Sequence, residues 1–157
     1  MLTVRRAATA DTEHCLAIVR ELPDHFTDDV PAKVQSDLGA HPGWVAVDDQ
    51  RVVGFAVVDR RSAEAGEILW IAVADSRRNQ GVGSALVEQL VTELANEGVH
   101  LIEVKTLDRS ADYEPYAATN AFYERRGFIQ IDTIDPLPDW PAGNPAAIYV
   151  VALKASR

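Results

Sequence analysis

The sequence predicts an α/β fold: a central mixed, mostly antiparallel twisted sheet of about seven strands flanked by about four helices. Three observations carry this. The stretch from Gly66 to Leu94 reads as a strand, a polar turn with two glycines, and a helix whose apolar residues recur at helical spacing. A second strand pattern, His100 to Leu107, follows that helix, so the two strands are predicted to be parallel neighbours joined by a right-handed crossover. A hairpin pattern precedes this βαβ core between Gly43 and Asp59, and an apolar run from Ala146 to Leu153 predicts a strand after it.

Taken in order, Leu2 to Arg6 reads as a short strand and Ala7 to Ala10 as the turn out of it. Asp11 is placed to cap a helix in which Cys15, Ile18, Val19 and Leu22 share one face, and Pro23 ends that helix. Phe26, Val30, Val34 and Leu38 recur every fourth position and predict a second helix from near Pro31. Gly43 to Val47 and Arg51 to Asp59 are the hairpin strands around Asp48-Asp49-Gln50. Ala63 to Gly66 connects them to Ile68 to Val73, which is apolar on both faces and therefore interior to the sheet. Gly81 and Gly83 open the long helix carrying Leu86, Val87, Leu90, Val91 and Leu94, and Gly98 marks its end. A polar loop from Asp108 to Tyr116 leads to a helix from Ala117 to Arg126, stopped by Gly127. Phe128 to Ile134 is a strand, and the proline-rich segment Asp135 to Pro145 is a loop.

Composition narrows the function classes. The 157 residues suit one domain with a sizeable core, and 47% apolar with 25% charged residues is an ordinary globular profile. Lys and Arg number 15 against 24 Asp and Glu, a formal net charge of -9 that argues against a sequence-independent grip on nucleic acid. The same charge favours a cationic partner or plain solubility. Cys15 is the single cysteine and reads as a small core residue. The four histidines lie in separate segments without ligand-like spacing, so no metal is expected. No run of 18 apolar residues and no signal-peptide core occur, which predicts a soluble cytoplasmic protein without a membrane partner.

The Gly81-Val82-Gly83 turn is chemically suggestive. Small residues at a helix N-terminus leave unpaired backbone N–H groups open at the positive end of the dipole, which suits a phosphate. Such a turn also serves simply for tight packing. A dinucleotide fingerprint would need a third glycine where Leu86 stands, and a nucleotide P-loop would need Gly-Lys-Ser/Thr. Arg78-Asn79-Gln80-Gly81-Val82-Gly83 resembles the Arg/Gln-x-x-Gly-x-Gly/Ala signature of the GNAT acetyltransferase superfamily. A second segment, Thr119 to Phe128, resembles the asparagine followed by Phe-Tyr-x-x-x-Gly-Phe that such proteins carry, here Asn120, Phe122, Tyr123, Gly127 and Phe128. The resemblance covers Glu67 to Phe128 well and the flanks by strand order alone.

What the resemblance implies is concrete. The fold would be the GNAT-type acyl-CoA N-acyltransferase fold, as a single domain over residues 1–157, with acetyl-CoA as cosubstrate and no metal. Arg78, Asn79, Gln80, Gly81, Val82, Gly83 and Ser84 would hold the pyrophosphate, with Arg77 adding charge. Backbone groups of Ile71 and Val73 would meet the thioester and the pantetheine arm where the central strand splays from its neighbour. Asn120 would bond that arm or Tyr123, unless it is only a polar group of the helix N-terminus. Family members often dimerise through sheet edges, so a homodimer is allowed.

Acetyl transfer to an amine needs a neutral nucleophile, a stabilised oxyanion and a proton for the departing thiolate. Tyr123, with an ordinary phenol pKa of about 10, resembles the family's tyrosine near the CoA sulfur and is by that resemblance the candidate general acid; otherwise it is an aromatic packed beside Phe122. Glu67 is the candidate base by the same resemblance, since several family members carry at this place a glutamate that activates the amine directly or through water. Strand alternation puts it on one face with Leu69, Ile71 and Val73 unless a bulge intervenes. The alternatives are a water-facing strand glutamate, or no side-chain base at all. Asp75 stands where the family often has proline. The acceptor is expected to be a primary amine of a small cationic molecule or of a peptide. Asp24, Asp28 and Asp29, the loop Asp108 to Tyr116 and the loop Leu137 to Pro145 are its candidate walls, or else ordinary solvated surface. A catalytically silent acyl-CoA-binding module of the same fold is the other function class.

Overall fold

The computed structural model describes residues 1–154. Seven strands form a single sheet: β1 (Thr3–Arg6), β2 (Gly43–Asp48), β3 (Arg51–Arg60), β4 (Ala65–Val73), β5 (Leu101–Leu107), β6 (Ile129–Ile134) and β7 (Ala146–Ala152), in the order β1-β2-β3-β4-β5-β7-β6. Only β4 and β5 pair in parallel. The helices are α1 (Thr12–Arg20), α2 (Val30–Ala40), α3 (Val82–Asn96) and α4 (Ala117–Arg125). The expected mixed sheet with four helices is therefore present, and α3 is the crossover between the parallel strands. Among the described residues no helix is long and apolar enough to cross a membrane.

Each sheet face buries its own cluster. Leu86, Leu90 and Leu94 of α3 pack with Trp44, Ala56, Ile68, Ile102 and Val104, and Tyr123 and Phe128 belong to the same cluster. Each of these leucines is fully buried, a gain of about 1.5–3 kcal/mol apiece by area. On the other face Leu16 and Val19 of α1 and Val34 of α2 pack against Val45, Phe55 and Val57. Helix α3 comes very close to β3 at Gly54, where a Cβ would lie 2.9 Å from Val82 Cγ1 and 3.1 Å from the Ala72 carbonyl. A polar cluster fastens α3 to the first strands: the Trp44 indole N–H donates to Glu93 at 2.7 Å, and Arg6 bonds Glu93 at 3.0 Å while lying 4.2 Å over the Trp44 ring.

Several local readings change. Asp11 does not cap α1 with its side chain, because its carboxylate takes two hydrogen bonds from Arg5 and one from the Ala8 N–H at 2.7 Å, and so closes the preceding 3₁₀ turn. The β4 strand starts earlier than expected, at Ala65, since Gly66 pairs with Arg60 and Ala65 with Leu101. The β2–β3 turn has no glycine, yet Asp49 and Gln50 adopt φ of 49° and 64°, the left-handed pair that a two-residue hairpin requires. Every residue of β6, the sheet edge, is exposed, while β7 is inserted between it and β5.

Candidate active site

Two glycines build the turn into α3 for different reasons. Gly81 has φ of +82°, and Asn79 beside it has +61°, so the chain reverses sharply out of the short turn at Asp75–Arg77. Gly83 is needed for contact, since a Cβ there would sit 3.1 Å from the Phe122 ring of α4. The first bond of the helix runs from the Ala85 N–H to the Gly81 carbonyl at 3.0 Å, which leaves the Val82, Gly83 and Ser84 N–H groups without helical partners. No side chain caps this end, and no acid stands in the first turn. The end is open for an anion.

The charges around it differ from expectation. Arg77 is tied to Asp48 at 2.6 Å, so its charge holds the β2–β3 turn instead of facing the helix end. Arg78 has only a 3.9 Å pair with Asp75, and Gln80 donates to the Ser76 carbonyl at 3.2 Å, closing the loop. A further cation comes from α4's end: Arg126 lies 3.9 Å over the Phe122 ring and hydrogen-bonds the Ser84 hydroxyl. The only sequence signal for Arg126 was a basic pair before Gly127.

Beside this turn the sheet opens. Strands β4 and β5 pair only from Ala65–Leu101 to Ile68–Val104. Beyond that β4 follows β3 to the Val73–Gly54 pair, and β5 follows β7 to the Leu107–Ala146 pair. The edge of β4 that carries Ile71 and Val73 therefore has no strand partner toward β5. Asn120 sits at the far end of the gap, 1% exposed, donating from Nδ2 to the carbonyls of Leu107 at 3.1 Å and Tyr116 at 3.0 Å. Its Oδ1 is buried without a partner, as is the Thr106 hydroxyl on β5. A buried orphan acceptor is costly unless something donates to it. Thr106 carried no motif and was not legible in the sequence.

Tyr123 is 2% exposed, its ring edge-on to Phe122 and Phe128 at 5.3 and 5.2 Å. Burial pushes its phenol well above the ordinary value. Among the described residues its hydroxyl has no hydrogen-bond partner.

Glu67 is displaced from its expected face. Val57 stands opposite Trp70 but Val58 opposite Ile68, so Leu69 is an extra residue and β4 bulges there. Ile68, Ile71 and Val73 point to the α3 cluster, whereas Leu69, Trp70 and Ala72 point to the α1–α2 cluster. Glu67, alternating with Ile68, thus lies on the α1–α2 side with Leu69, and not with Ile71 and Val73. The carboxylate is 6% exposed and paired with Lys105 and Arg61. Burial raises its pKa, and the Lys105 charge works against that rise. Tyr123 and Glu67 therefore lie on opposite faces of the sheet.

Over the Glu67 side two loops are pinned together. Tyr113 and Tyr116 donate through their hydroxyls to the carbonyls of Asp24 and His25, each at 2.7 Å, and His25 Nε2 donates to the Pro115 carbonyl at 3.0 Å. Phe26 packs edge-on to Trp70 of β4 at 6.2 Å, which fixes the arch against the bulge. Asp29 is engaged by Lys33 and Thr27, but Asp24, Asp28, Asp112 and Glu114 have no ion pair among the described residues. The hydrogen bonds of Leu137 to Asn144 stay local, to Asp135 or within the loop, while the Pro145 carbonyl accepts from the Asp108 N–H at 2.8 Å. A separate groove of about 810 Å³ runs between α3 and β7 and meets this region only near Ser84 and Arg126.

The family pattern described as Acetyltransferase (GNAT) domain matches residues 40–130. No curated protein matches the sequence. Among solved structures, a GNAT-family protein from Desulfovibrio desulfuricans superposes with a TM-score of 0.85 at 23% identity, covering 97% of this chain and 99% of its own. The ribosomal-protein-S18-alanine N-acetyltransferase of Escherichia coli gives 0.79 at 21% identity over 100% of this chain and 97% of its own. A GNAT family acetyltransferase from Elizabethkingia anophelis, solved with acetyl-CoA bound, gives 0.74 at 19% identity over 97% and 98%. At these identities the likeness is one of fold, while the family pattern spans more than half of the sequence and contains both the α3 turn and α4. The chain belongs to the GNAT acetyltransferase family.

Proposed function

We propose that residues 1–157 form one acetyl-CoA-dependent N-acetyltransferase domain that acts on a primary amine of a small cationic molecule or a peptide, in a direct ternary complex. The observation that carries this reading is the open N-terminus of α3, with three unpartnered amides and no acidic first turn, set beside an unpaired edge of β4. Those features fit an anionic group followed by an extended arm with amide donors and acceptors. Val82, Gly83 and Ser84 would bind the pyrophosphate through their amides, with Arg78, Asn79, Gln80 and Gly81 shaping the turn. Ile71 and Val73 would bond the arm through their backbone, and the orphan Oδ1 of Asn120 would accept from it.

Acetyl-CoA, as substrate, supplies an acetyl thioester whose C–S bond breaks as the C–N bond forms. The Glu67 carboxylate takes a proton from the acceptor nitrogen, freeing its lone pair for attack. The Tyr123 hydroxyl gives its proton to the departing sulfur. A phenol held far above its ordinary pKa stays protonated at neutral pH and so is a ready donor. Both residues then recover by exchange with solvent. The unpaired carboxylates Asp24, Asp28, Asp112 and Glu114 on the arch support a cationic acceptor.

Tyr123→Phe tests the reading. Turnover, followed as thiol release over a panel of amines, should fall by about 10²-fold or more, with acetyl-CoA affinity retained in calorimetry. The second reading is a silent acyl-CoA-binding module, favoured by the depth of Tyr123 and its lack of a hydrogen bond. It would hold if the parent bound acetyl-CoA and transferred to no amine. Absence of acetyl-CoA binding at millimolar concentration would defeat both.

A further inference from the structure

The pairing of β4 with β5 ends at Ile68 and Val104, and the next residue of β5 is Lys105. Its ammonium reaches back across the mouth of the gap to Glu67, 3.3 Å from one carboxylate oxygen and 3.4 Å from the other. We propose that Lys105 is a positioning residue for acyl transfer, its ammonium reaching back from the first unpaired position of β5 to clamp the Glu67 carboxylate just below the gap. This rests on the reading of Glu67 as the base.

The surroundings single out Lys105. On the loop after β3, Arg61 lies 3.4 Å from Glu67, but its side chain is 59% exposed, so solvent screens it. On β3, Asp59 stands directly opposite Glu67 in register, and its carboxylate is 3.6 Å from Arg61 and 3.6 Å from His41. On β5, Glu103 is 3.6 Å from the Lys105 ammonium and competes for it. On β7 the cross-strand partners of Lys105 and Glu103 are Ile148 and Val150, which carry no charge. Burial, first, and the Glu103 charge from β5 thus press on Glu67, while Asp59 is engaged by Arg61 and His41. Lys105, 27% exposed and in contact with both oxygens, is the principal counterweight.

A base must be ionised before it can accept a proton. Without the ammonium, burial and the Glu103 charge would act on Glu67 unopposed by its nearest cation and push its pKa further up, so that less of it would be free to take a proton from an amine. The clamp also spans two strands that diverge just above it, so it fixes the carboxylate at the apex of the gap instead of letting it follow β4 alone.

Titration of protein carrying ¹³C at the glutamate side-chain carboxyls tests this directly, with the Glu67 signal assigned by its loss in Glu67→Gln. In Lys105→Met the Glu67 midpoint should move upward by about one pH unit or more, and Lys105→Arg should restore it. If Lys105→Met does not fold, Lys105→Gln serves in its place. An unmoved midpoint in the charge-removing variant, or no rescue by arginine, overturns the proposal. The kinetic arm uses the amine best turned over in the panel: the acidic limb of kcat/KM should shift to higher pH in Lys105→Met. An unaltered rate in Glu67→Gln would defeat the base reading alone, and the carboxyl titration would still decide what Lys105 does.

Discussion

The Tyr116 hydroxyl donates to the His25 carbonyl at 2.7 Å, joining positions 91 residues apart in the sequence. The bond couples the loop after β5 to the connector between α1 and α2, so the arch over the Glu67 side is held from both halves of the molecule. Tyr116→Phe deletes one hydrogen bond to a half-buried carbonyl and should cost about 1 kcal/mol in urea unfolding. If the arch borders the amine site, the KM for the amine rises several-fold while that for acetyl-CoA stays put. Equal rises in both would mean the arch does not separate the two substrates.

Alanine at three glycines should give three different results. Gly54→Ala forces a Cβ to within 2.9 Å of Val82 and 3.1 Å of a backbone carbonyl, which α3 can relieve only by lifting from the sheet. A loss of about 1–3 kcal/mol is expected. Gly81→Ala meets no atom within 4 Å, but at φ of +82° it strains the backbone by about 1–2 kcal/mol. Since that strain falls on the turn proposed to hold the pyrophosphate, acetyl-CoA affinity should drop with it. Gly39 in α2 has open space and no left-handed backbone, so Gly39→Ala is neutral or stabilising, by up to about 1 kcal/mol. Urea midpoints and calorimetric titration with acetyl-CoA check the set.

The features written in local pattern were legible in the sequence. Leu86, Leu90 and Leu94 announce α3 by spacing alone, and Gly81 with Gly83 marks its start, because helical period and left-handed turns are properties of neighbouring residues. The bulge at Leu69 was not legible, since it exists only as a mismatch between β4 and the pairing of Val57 and Val58 on β3. That one residue moves Glu67 to the face opposite Ile71. Lys105 and Thr106 were equally hidden, because each acquires meaning from where the parallel pairing stops. Asp11 was misread for a related reason. Its local position suits a cap, but Arg5 on the adjacent strand offers two charged donors and outbids the helix amides.

Asp11 should make stability depend on acid. The hydrogen bonds from Arg5, and then the Ala8 N–H, hold its carboxyl below the usual 3.8 despite burial. A depressed folded pKa contributes stability that is present above the unfolded value and disappears as pH falls through the folded one. Asp11→Asn should therefore cost about 1–2 kcal/mol at neutral pH, at the modest end because Arg5 is 52% exposed. The difference between parent and variant should shrink once the pH drops below 3.8. Paired urea curves at pH 7 and pH 3 check it, and a difference unchanged between them would rule out the ion pair as its source.

Asn120 makes the opposite pH prediction. Its Nδ2 faces the carbonyl oxygens of Leu107 and Tyr116, so the side chain closes the end of β5 onto the start of α4 by donating twice. Asn120→Asp keeps the shape and reverses the chemistry, setting a carboxylate oxygen against two acceptors in a site 1% exposed. At neutral pH that should cost about 3 kcal/mol or more. Protonation returns one donor, so the folded variant binds its proton more tightly than the unfolded chain does. Its folded pKa is raised, and stability is regained as pH falls through that value. Urea midpoints for parent and variant should thus lie closest in mild acid and separate toward pH 8. Should the variant match the parent at pH 8, the two carbonyls do not depend on this amide, and the Asn120 Oδ1 is free to turn away from the gap.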